Sequence, residues 1–433
     1  MSGLLYAEGS PESVLDEARL REGLLRALGK LGPRSKVLAV PPDITRVHSR
    51  AGLLTEVAWE HYGERLTDVL PAIGTHTPMS DAEFSSMFGQ VPRGLCRVHD
   101  WREGTTTLGS VSEEFVERIS GGRVRFPWPV QVDKLIAGGG FDLILSFGQI
   151  VPHEVAGMSG YTKNILVGTG GREAIHKSHF LGAVHGIERT MGRLDNPVRI
   201  LLDHAMEHYA AHVPIVHVLT VAETGPEGRP VMRGLFVGSG RECFEKAAEL
   251  SRRVNITLYD RPFQKVVVYL DPVEYRSTWL GNKSIYRTRM ALAERGELVV
   301  LAPGVEVFGE DGEIDGLIRR YGYGGRKRVL VQAETEPSLQ ANLGAAAHLI
   351  HGSAEGRFTV TYCPGKLTRE EIEGVGYEFG ELDAMRARYD PQTLRDGVSR
   401  LDTGEEILYV SNPGLGLWAT RDMFESGGED ADG

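Results

Sequence analysis

The chain has 433 residues, a net charge of −11, 41% hydrophobic residues and 25% charged residues. This is a globular composition, with length for two domains rather than one core. The acidic balance excludes nucleic acid as a main partner, because phosphate binding needs a basic face, and no apolar run reaches the roughly 18 residues of a membrane span.

The opening MSGLLYAEGSPESVLDE lacks the basic-then-apolar order of a secretory signal. Cys96, Cys243 and Cys363 are scattered and odd in number. A cytoplasmic protein with small buried thiols is the expectation, rather than a disulfide framework or a zinc cluster.

Ser10-Pro11-Glu12 predicts a helix start, and Leu20, Leu24, Leu25 and Leu28 give a helical apolar stripe ending at Gly32. KVLAV, 36–40, predicts a strand that runs into the polar loop PPDITRVHSR. A helix is expected from about Leu53 to Leu66. DVLPAI, 68–73, predicts the next strand, ending in GTHTPMS, and Ser80 and Asp81 suit the cap of a following helix. Further strands are expected at Leu95–Val98 and Leu143–Phe147. Ile200–Val213 reads as a helix, Ile215–Val221 and VMRGLFVG as strands, and Ser239–Val254 as a helix.

A second run of the same grammar begins near Gln264. It has strands at KVVVYLD, ELVVLAPG, RVLVQA and RFTVTYCP, with helices at Ser284–Arg295, Gly312–Tyr321, Ser338–His351 and Thr368–Gly376. The expectation is an α/β fold of two domains, each with a mainly parallel sheet, and an active-site cleft between them. The domains are placed at 1–262 and 263–404, with 405–424 returning to the first and 425–433 a disordered acidic tail.

Ligands of such sheets sit beyond the carboxyl ends of the strands. Three strand-end loops therefore matter: those with Asp43 and Arg46, with His76, and with His153. Arg46 suits a carboxylate, a phosphate or substrate oxygens, and Asp43 suits the orienting of a neighbouring histidine or arginine; a surface salt bridge is the plain alternative. His76 and His153 are placed for general acid/base work, against the alternative of solvated or capping histidines.

Lys163 precedes the apolar run Ile165-Leu166-Val167. It reads either as a desolvated nucleophile, a pyridoxal Schiff-base lysine included, or as a snorkelling lysine. His176 and His179 lie on one helical face and could share a metal, without an obvious third ligand. His204, His208 and His212 lack the His-Glu-x-x-His order of a zinc helix and read as a helix stripe. The glycines at 138–140 and 168–171 lack dinucleotide-fingerprint spacing. In the second domain Trp279, Asn282, Lys283, Tyr286 and Arg287 form a polar-aromatic patch, either facing a cleft or lying as ordinary helix surface.

Together these residues resemble the lactate racemase family, which uses a nickel-pincer nucleotide. The family's hallmark, Pro-His-x-x-Ala-Gly-x-Ser-Gly-x-x-Lys, is matched by Pro152, His153, Ala156, Gly157, Ser159, Gly160 and Lys163. Asp43 and Arg46 match its D-x-x-R loop, and Gly74 and His76 its G-x-H loop. The resemblance spans nearly the whole chain.

It implies that Lys163 tethers the cofactor and that His179 ligates nickel, with Thr45, Ser159, Gly160 and Thr162 beside the cofactor. It implies that His76 and His153 are acid/base groups on opposite faces of the substrate. Arg46 would orient the substrate, Asp43 would support it or His76, and Lys283 would contact the substrate. Proteins of cofactor synthesis would be partners in maturation.

This chain departs from the family at Tyr161-Thr162, where Gly-Arg is expected, at Leu280 in place of a glutamine, and at Leu339 in place of a tryptophan. A divergent racemase or 2-epimerase acting on a bulkier 2-hydroxy acid, an aldonate or a sugar is therefore expected, with Trp279, Asn282, Tyr286 and Arg287 near the substrate. The rival readings are a pyridoxal-phosphate enzyme and a non-catalytic sugar- or carboxylate-binding protein.

Overall fold

The computed structural model describes residues 3–225 and 229–427, which divide into two compact units. The first holds the chain to Leu181 with Met191–Thr224 and Pro230–Asn255; the second holds Gly182–Thr190 and the chain from Ile256 onward.

Six strands form the sheet of the first unit: β1 (Leu4–Gly9), β2 (Val37–Val40), β3 (Leu66–Val69), β4 (Leu143–Gln149), β5 (Ile215–Thr224) and β6 (Pro230–Gly238). Their order is β1-β6-β5-β4-β2-β3. β2 runs parallel to β3 and β4, and β4 parallel to β5, while β6 is antiparallel to β1 and β5. Every residue of β2 and β4 is buried, as expected of central strands covered on both faces. Leu143, Leu145 and Phe147 pack with Leu20, Leu24, Leu54 and Val57, and Leu219 and Val221 with Phe244, Ala247 and Ala248.

Local chemistry corrects two boundaries here. The first helix starts at Glu17 because Asp16 accepts the Arg19 N–H at 2.9 Å, whereas the Ser10 hydroxyl accepts from the Glu12 and Ser13 N–H groups and closes a turn. Leu95–Val98 is not a strand: Arg93–Leu95 is a 3-10 turn, and Cys96 makes an isolated bridge to Val69.

The second unit's sheet comprises β7 (Phe263–Tyr269), β8 (Leu292–Ala302), β9 (Phe358–Pro364), β10 (Glu378–Phe379), β11 (Gly397–Arg400) and β12 (Glu406–Val410). The order is β10-β9-β8-β7-β12-β11, parallel except for the β11–β12 pair. The segment 405–424 completes this unit and not the first. β12 pairs with β7, and the strand Leu417–Thr420 pairs with Ile256–Tyr259. That second pairing also carries the division back from Pro262 to Asn255.

RVLVQA is a helix, Arg326–Thr335, which buries Val329 and Ala333, four positions apart on one face. The helix expected over Ser284–Arg295 stops at Thr288, and β8 begins at Leu292. The helix expected over Ser338–His351 is broken into Pro337–Gln340 and Leu343–Gly352, the latter capped by Asn342. Glu425 and Ser426 end the helix Arg421–Ser426 rather than open a tail, and 428–433 lie outside the described residues. Among the described residues no helix is long and apolar enough to cross a membrane.

Candidate active site

Parallel pairing carries the ends of β2 and β3 forward together. The Ala72 N–H donates to the Pro41 carbonyl at 2.7 Å, and Pro42 bridges Ala72. The loops beyond therefore stay adjacent, and Asp43 meets His76, its Oδ2 2.6 Å from the His76 Nδ1. Asp43 is buried, and its other oxygen accepts the Thr45 N–H at 3.1 Å and the Thr45 hydroxyl. Burial pushes the Asp43 carboxyl up, but His76, Thr45 and Arg46 outweigh it and hold it below the usual carboxylate range. A carboxylate only accepts, so the His76 Nδ1 carries a proton, and in the neutral ring Nε2 carries the lone pair. Thr45, expected at the cofactor, spends both its donors on Asp43. Arg46 lies in the turn Ile44–Ser49, its N–H on the Asp43 carbonyl at 3.0 Å.

The end of β4 supplies the next loop. His153 is buried in a two-residue pairing, Pro152–His153 with Gly157–Met158, and its Nδ1 accepts the Val155 N–H at 3.1 Å. Gly157 has φ +75°, and a Cβ there would fall 1.9 Å from the Arg193 carbonyl oxygen. Gly160 has φ +68°, and a Cβ there would lie 2.7 Å from Ile150. Both positions favour glycine by conformation and space. The Ser159 hydroxyl donates to the Gln149 carbonyl at 2.6 Å and accepts from Val151 at 3.0 Å; it braces the loop instead of facing a cofactor.

Lys163 sits half-buried on the short helix Thr162–Leu166. Its neighbour Asn164 anchors that helix. The Asn164 amide nitrogen lies 3.1 Å from the Val40 carbonyl, 3.0 Å from the Ser146 hydroxyl and 3.1 Å from the Phe147 carbonyl, so it bridges the ends of β2 and β4. The helix exit reaches the His76 loop, because the Gly74 N–H donates to the Gly168 carbonyl at 2.9 Å.

His179, on the helix Arg172–His185, donates from Nδ1 to the Ile175 carbonyl at 2.7 Å. Desolvation, followed by the charge of Lys163, lowers its pKa to about 4 against the opposing Ile175 bond and Glu154. At neutral pH it is an uncharged imidazole with the lone pair on Nε2, the form that binds a metal, and the carbonyl partner fixes its ring.

The lactate racemase N-terminal domain profile matches residues 25–192. A crystal structure of a Thermotoga maritima protein is 24% identical, covers 96% of this chain and 100% of its own, and superimposes with a TM-score of 0.82. The lactate racemase apoprotein of Thermoanaerobacterium thermosaccharolyticum is 17% identical, with 96% and 95% coverage and a TM-score of 0.68. At these identities the likeness is one of fold. No curated protein matches the chain.

All the loops singled out within residues 25–192 lie in the first unit, at one end of its sheet. The departure at Tyr161-Thr162 is absorbed into its core. Tyr161, at φ +57°, stacks on Phe244 with ring centroids 4.9 Å apart and lies 4.6 Å from the His217 ring. Thr162 donates to Asp203 at 2.8 Å and accepts from Arg199 at 2.8 Å. Arg199 is fully buried and also reaches the Met158 carbonyl at 2.6 Å.

Sequence reasoning missed Asn164 and Arg199 as site-building residues. The signal for Arg199 was present: a lone arginine inside the apolar run Val198-Arg199-Ile200-Leu201 of a helix capped by Asn196. Among the described residues, no three or more His, Cys, Asp or Glu side chains are grouped to hold a metal ion. His204 stacks on Phe115 and on His208, each at 4.0 Å.

Several second-unit expectations change. Asn282 is fully buried, with its amide nitrogen 3.0 Å from the Tyr377 hydroxyl. Tyr286 is buried and hydrogen-bonds His348 at 2.9 Å. Leu339 and Arg287 are fully buried. These side chains are buried in the unit's interior. Trp279, stacked on His348 at 4.5 Å, stays half-buried, as do Leu280 and Lys283. The Lys283 ammonium lies 5.5 Å from the Tyr275 ring centre.

Proposed function

We propose that this chain is a cytoplasmic racemase or 2-epimerase that inverts a carbinol centre of a 2-hydroxy acid, an aldonate or a sugar. The observation that carries the reading is the pairing of buried Asp43 with half-buried His76, at 2.6 Å, on the same sheet end as the anchored Lys163 helix. His76 takes a hydroxyl proton on Nε2, and the Asp43 carboxylate stabilises the imidazolium that forms, a contribution on the order of 10²–10⁴ in rate. Arg46 holds substrate oxygens through charge-assisted hydrogen bonds so that the reacting carbon alone turns.

The residues fit a nickel-pincer nucleotide. Lys163 supplies the amine that would join it, and the neutral His179 the single protein ligand, which suits a metal whose other donors come from an organic group. When bound, that group supplies hydride acceptance and return at the carbinol carbon. Proteins of cofactor synthesis are then obligatory partners in maturation.

The test is a panel of single-epimer 2-hydroxy acids and aldoses, incubated with nickel-loaded protein in deuterated water and followed by NMR. Appearance of the second epimer supports the reading. No conversion in the panel, together with a borohydride-trappable adduct and no nickel, overturns it in favour of a pyridoxal enzyme.

A further inference from the structure

The side-chain amide of Gln149 is buried without a partner. Gln149 ends β4 and is 3% exposed. Among the described residues neither its Oε1 nor its Nε2 makes a hydrogen bond, and both atoms are enclosed. An amide left in that condition costs stability. It stands at the carboxyl end of a parallel strand, where such sheets bind ligands.

Register fixes its surroundings. Side chains alternate along a strand, so Gln149 shares a sheet face with Phe147, which packs with Leu54 and Val57. Thr220 lies opposite Gln149 on β5, and its hydroxyl donates to the Ser49 carbonyl at 2.9 Å. Gln149 therefore lies beside the turn Ile44–Ser49, which carries Arg46. Its own carbonyl accepts the Ser159 hydroxyl at 2.6 Å, on the loop that leads to Lys163. The polar neighbours are engaged elsewhere: Thr220 with Ser49, and the Ser49 hydroxyl with the Ala51 N–H at 3.2 Å.

We propose that Gln149 binds a polyhydroxylated ligand in this site, its Nε2 donating to one hydroxyl oxygen and its Oε1 accepting the O–H of a neighbour. The proposal rests on the carbinol inversion proposed above and narrows what the site takes. Among the groups those substrates carry, a carboxylate or carbonyl only accepts and would leave Oε1 unmet, whereas a hydroxyl both donates and accepts. A simple 2-hydroxy acid has one hydroxyl, and the proposed reaction commits it to His76. A second hydroxyl comes from a polyol chain, as in an aldonate or a sugar, or from the ribose of a mononucleotide cofactor. Because both amide atoms are enclosed, a ligand meets them only as the 44–49 turn shifts. That turn is already interrupted at Arg46, with φ −117° and ψ 26°.

The experiment compares the full chain with Gln149→Met by urea unfolding and by calorimetric titration with D-gluconate, 2-hydroxybutyrate and ribose 5-phosphate. Methionine keeps the length of the side chain and removes both unmet polar atoms, so the urea midpoint should rise. The wild type should bind gluconate or ribose 5-phosphate. Gln149→Met should weaken that binding at least about tenfold and leave any binding of 2-hydroxybutyrate unchanged. A loss confined to gluconate places the substrate at Gln149, and a loss confined to ribose 5-phosphate places the cofactor there.

A lower midpoint in Gln149→Met would mean that the amide is satisfied inside the folded chain, by an ordered water, and overturns the proposal. Polyol binding that is absent from the wild type, or equal in the two proteins, overturns it too. Neither readout involves turnover. A chain that loses polyol binding in Gln149→Met and yet inverts no carbinol keeps Gln149 as a binding residue and refutes the reaction instead.

Discussion

The guanidinium of Arg199, wholly buried, donates to the hydroxyl of Thr162 at 2.8 Å, one residue before Lys163. Burial brings its pKa down to about 10, with Asp203 working in the opposite direction, so the side chain remains a cation at neutral pH. Arg199→Met would remove the donors to Thr162 and Met158 while leaving Asp203 its 2.7 Å contact with Arg241. The expected loss is about 3 kcal/mol, the scale of breaking a buried pair, read by urea unfolding. Arg199→Lys should recover only part of it, because an ammonium cannot span both acceptors as a planar fork does.

Asn164 should be as sensitive for a different reason. Its amide serves two carbonyls and a hydroxyl at the ends of neighbouring strands, which Asn164→Leu would leave without that donor. A loss of about 2–3 kcal/mol is expected in chemical denaturation.

Gly157→Ala tests the confined turn beside His153. The residue sits at φ +75°, and its new Cβ would lie 1.9 Å from the Arg193 carbonyl oxygen. Strain and forced movement together should cost about 3 kcal/mol, visible as a lower thermal midpoint.

The Asp43 carboxylate makes a pH prediction. Burial opposes its ionisation, and His76, Thr45 and Arg46 outweigh burial, so its folded pKa lies below the usual value. A depressed acid stabilises the folded chain above its unfolded pKa of about 3.9. That contribution is lost as the pH falls through the folded value. Asp43→Asn lacks it throughout. The stability gap between wild type and variant should be present at neutral pH and shrink below about pH 4, measured by denaturation across that range.

Lys163→Ala should leave unfolding nearly unchanged, since the helix is held by Asn164, Thr162 and its apolar face. It should abolish any covalent adduct in intact-mass spectra. A full adduct mass in this variant would remove the tether from Lys163.

Much of this was legible because residue chemistry and sheet topology act at short range. Strand, polar loop and helix alternate, so the parallel sheets and the convergence of the Asp43 and His76 loops could be read from order alone. The segment Arg326–Thr335 was misread as a strand because a short Val-Leu-Val run fits both periods, and only the burial of Val329 and Ala333 decides between them. The antiparallel pair Thr105–Val111 and Trp128–Asp133 was missed because the helix Glu113–Ile119 lies in the connection where a hairpin turn would signal it. Asn282 and Tyr286 looked like ligand contacts by residue type, yet a buried hydroxyl or amide can satisfy the interior as well as a substrate. The same ambiguity concealed Arg199, whose partner Thr162 lies far away in sequence.

The decisive measurement follows a single-epimer substrate, deuterated at its carbinol carbon and converted in ordinary water, by NMR or mass spectrometry. Hydride removal and return at one centre predicts that the opposite epimer forms with its deuterium retained. No inversion, or inversion with the deuterium exchanged for solvent hydrogen, would contradict the account.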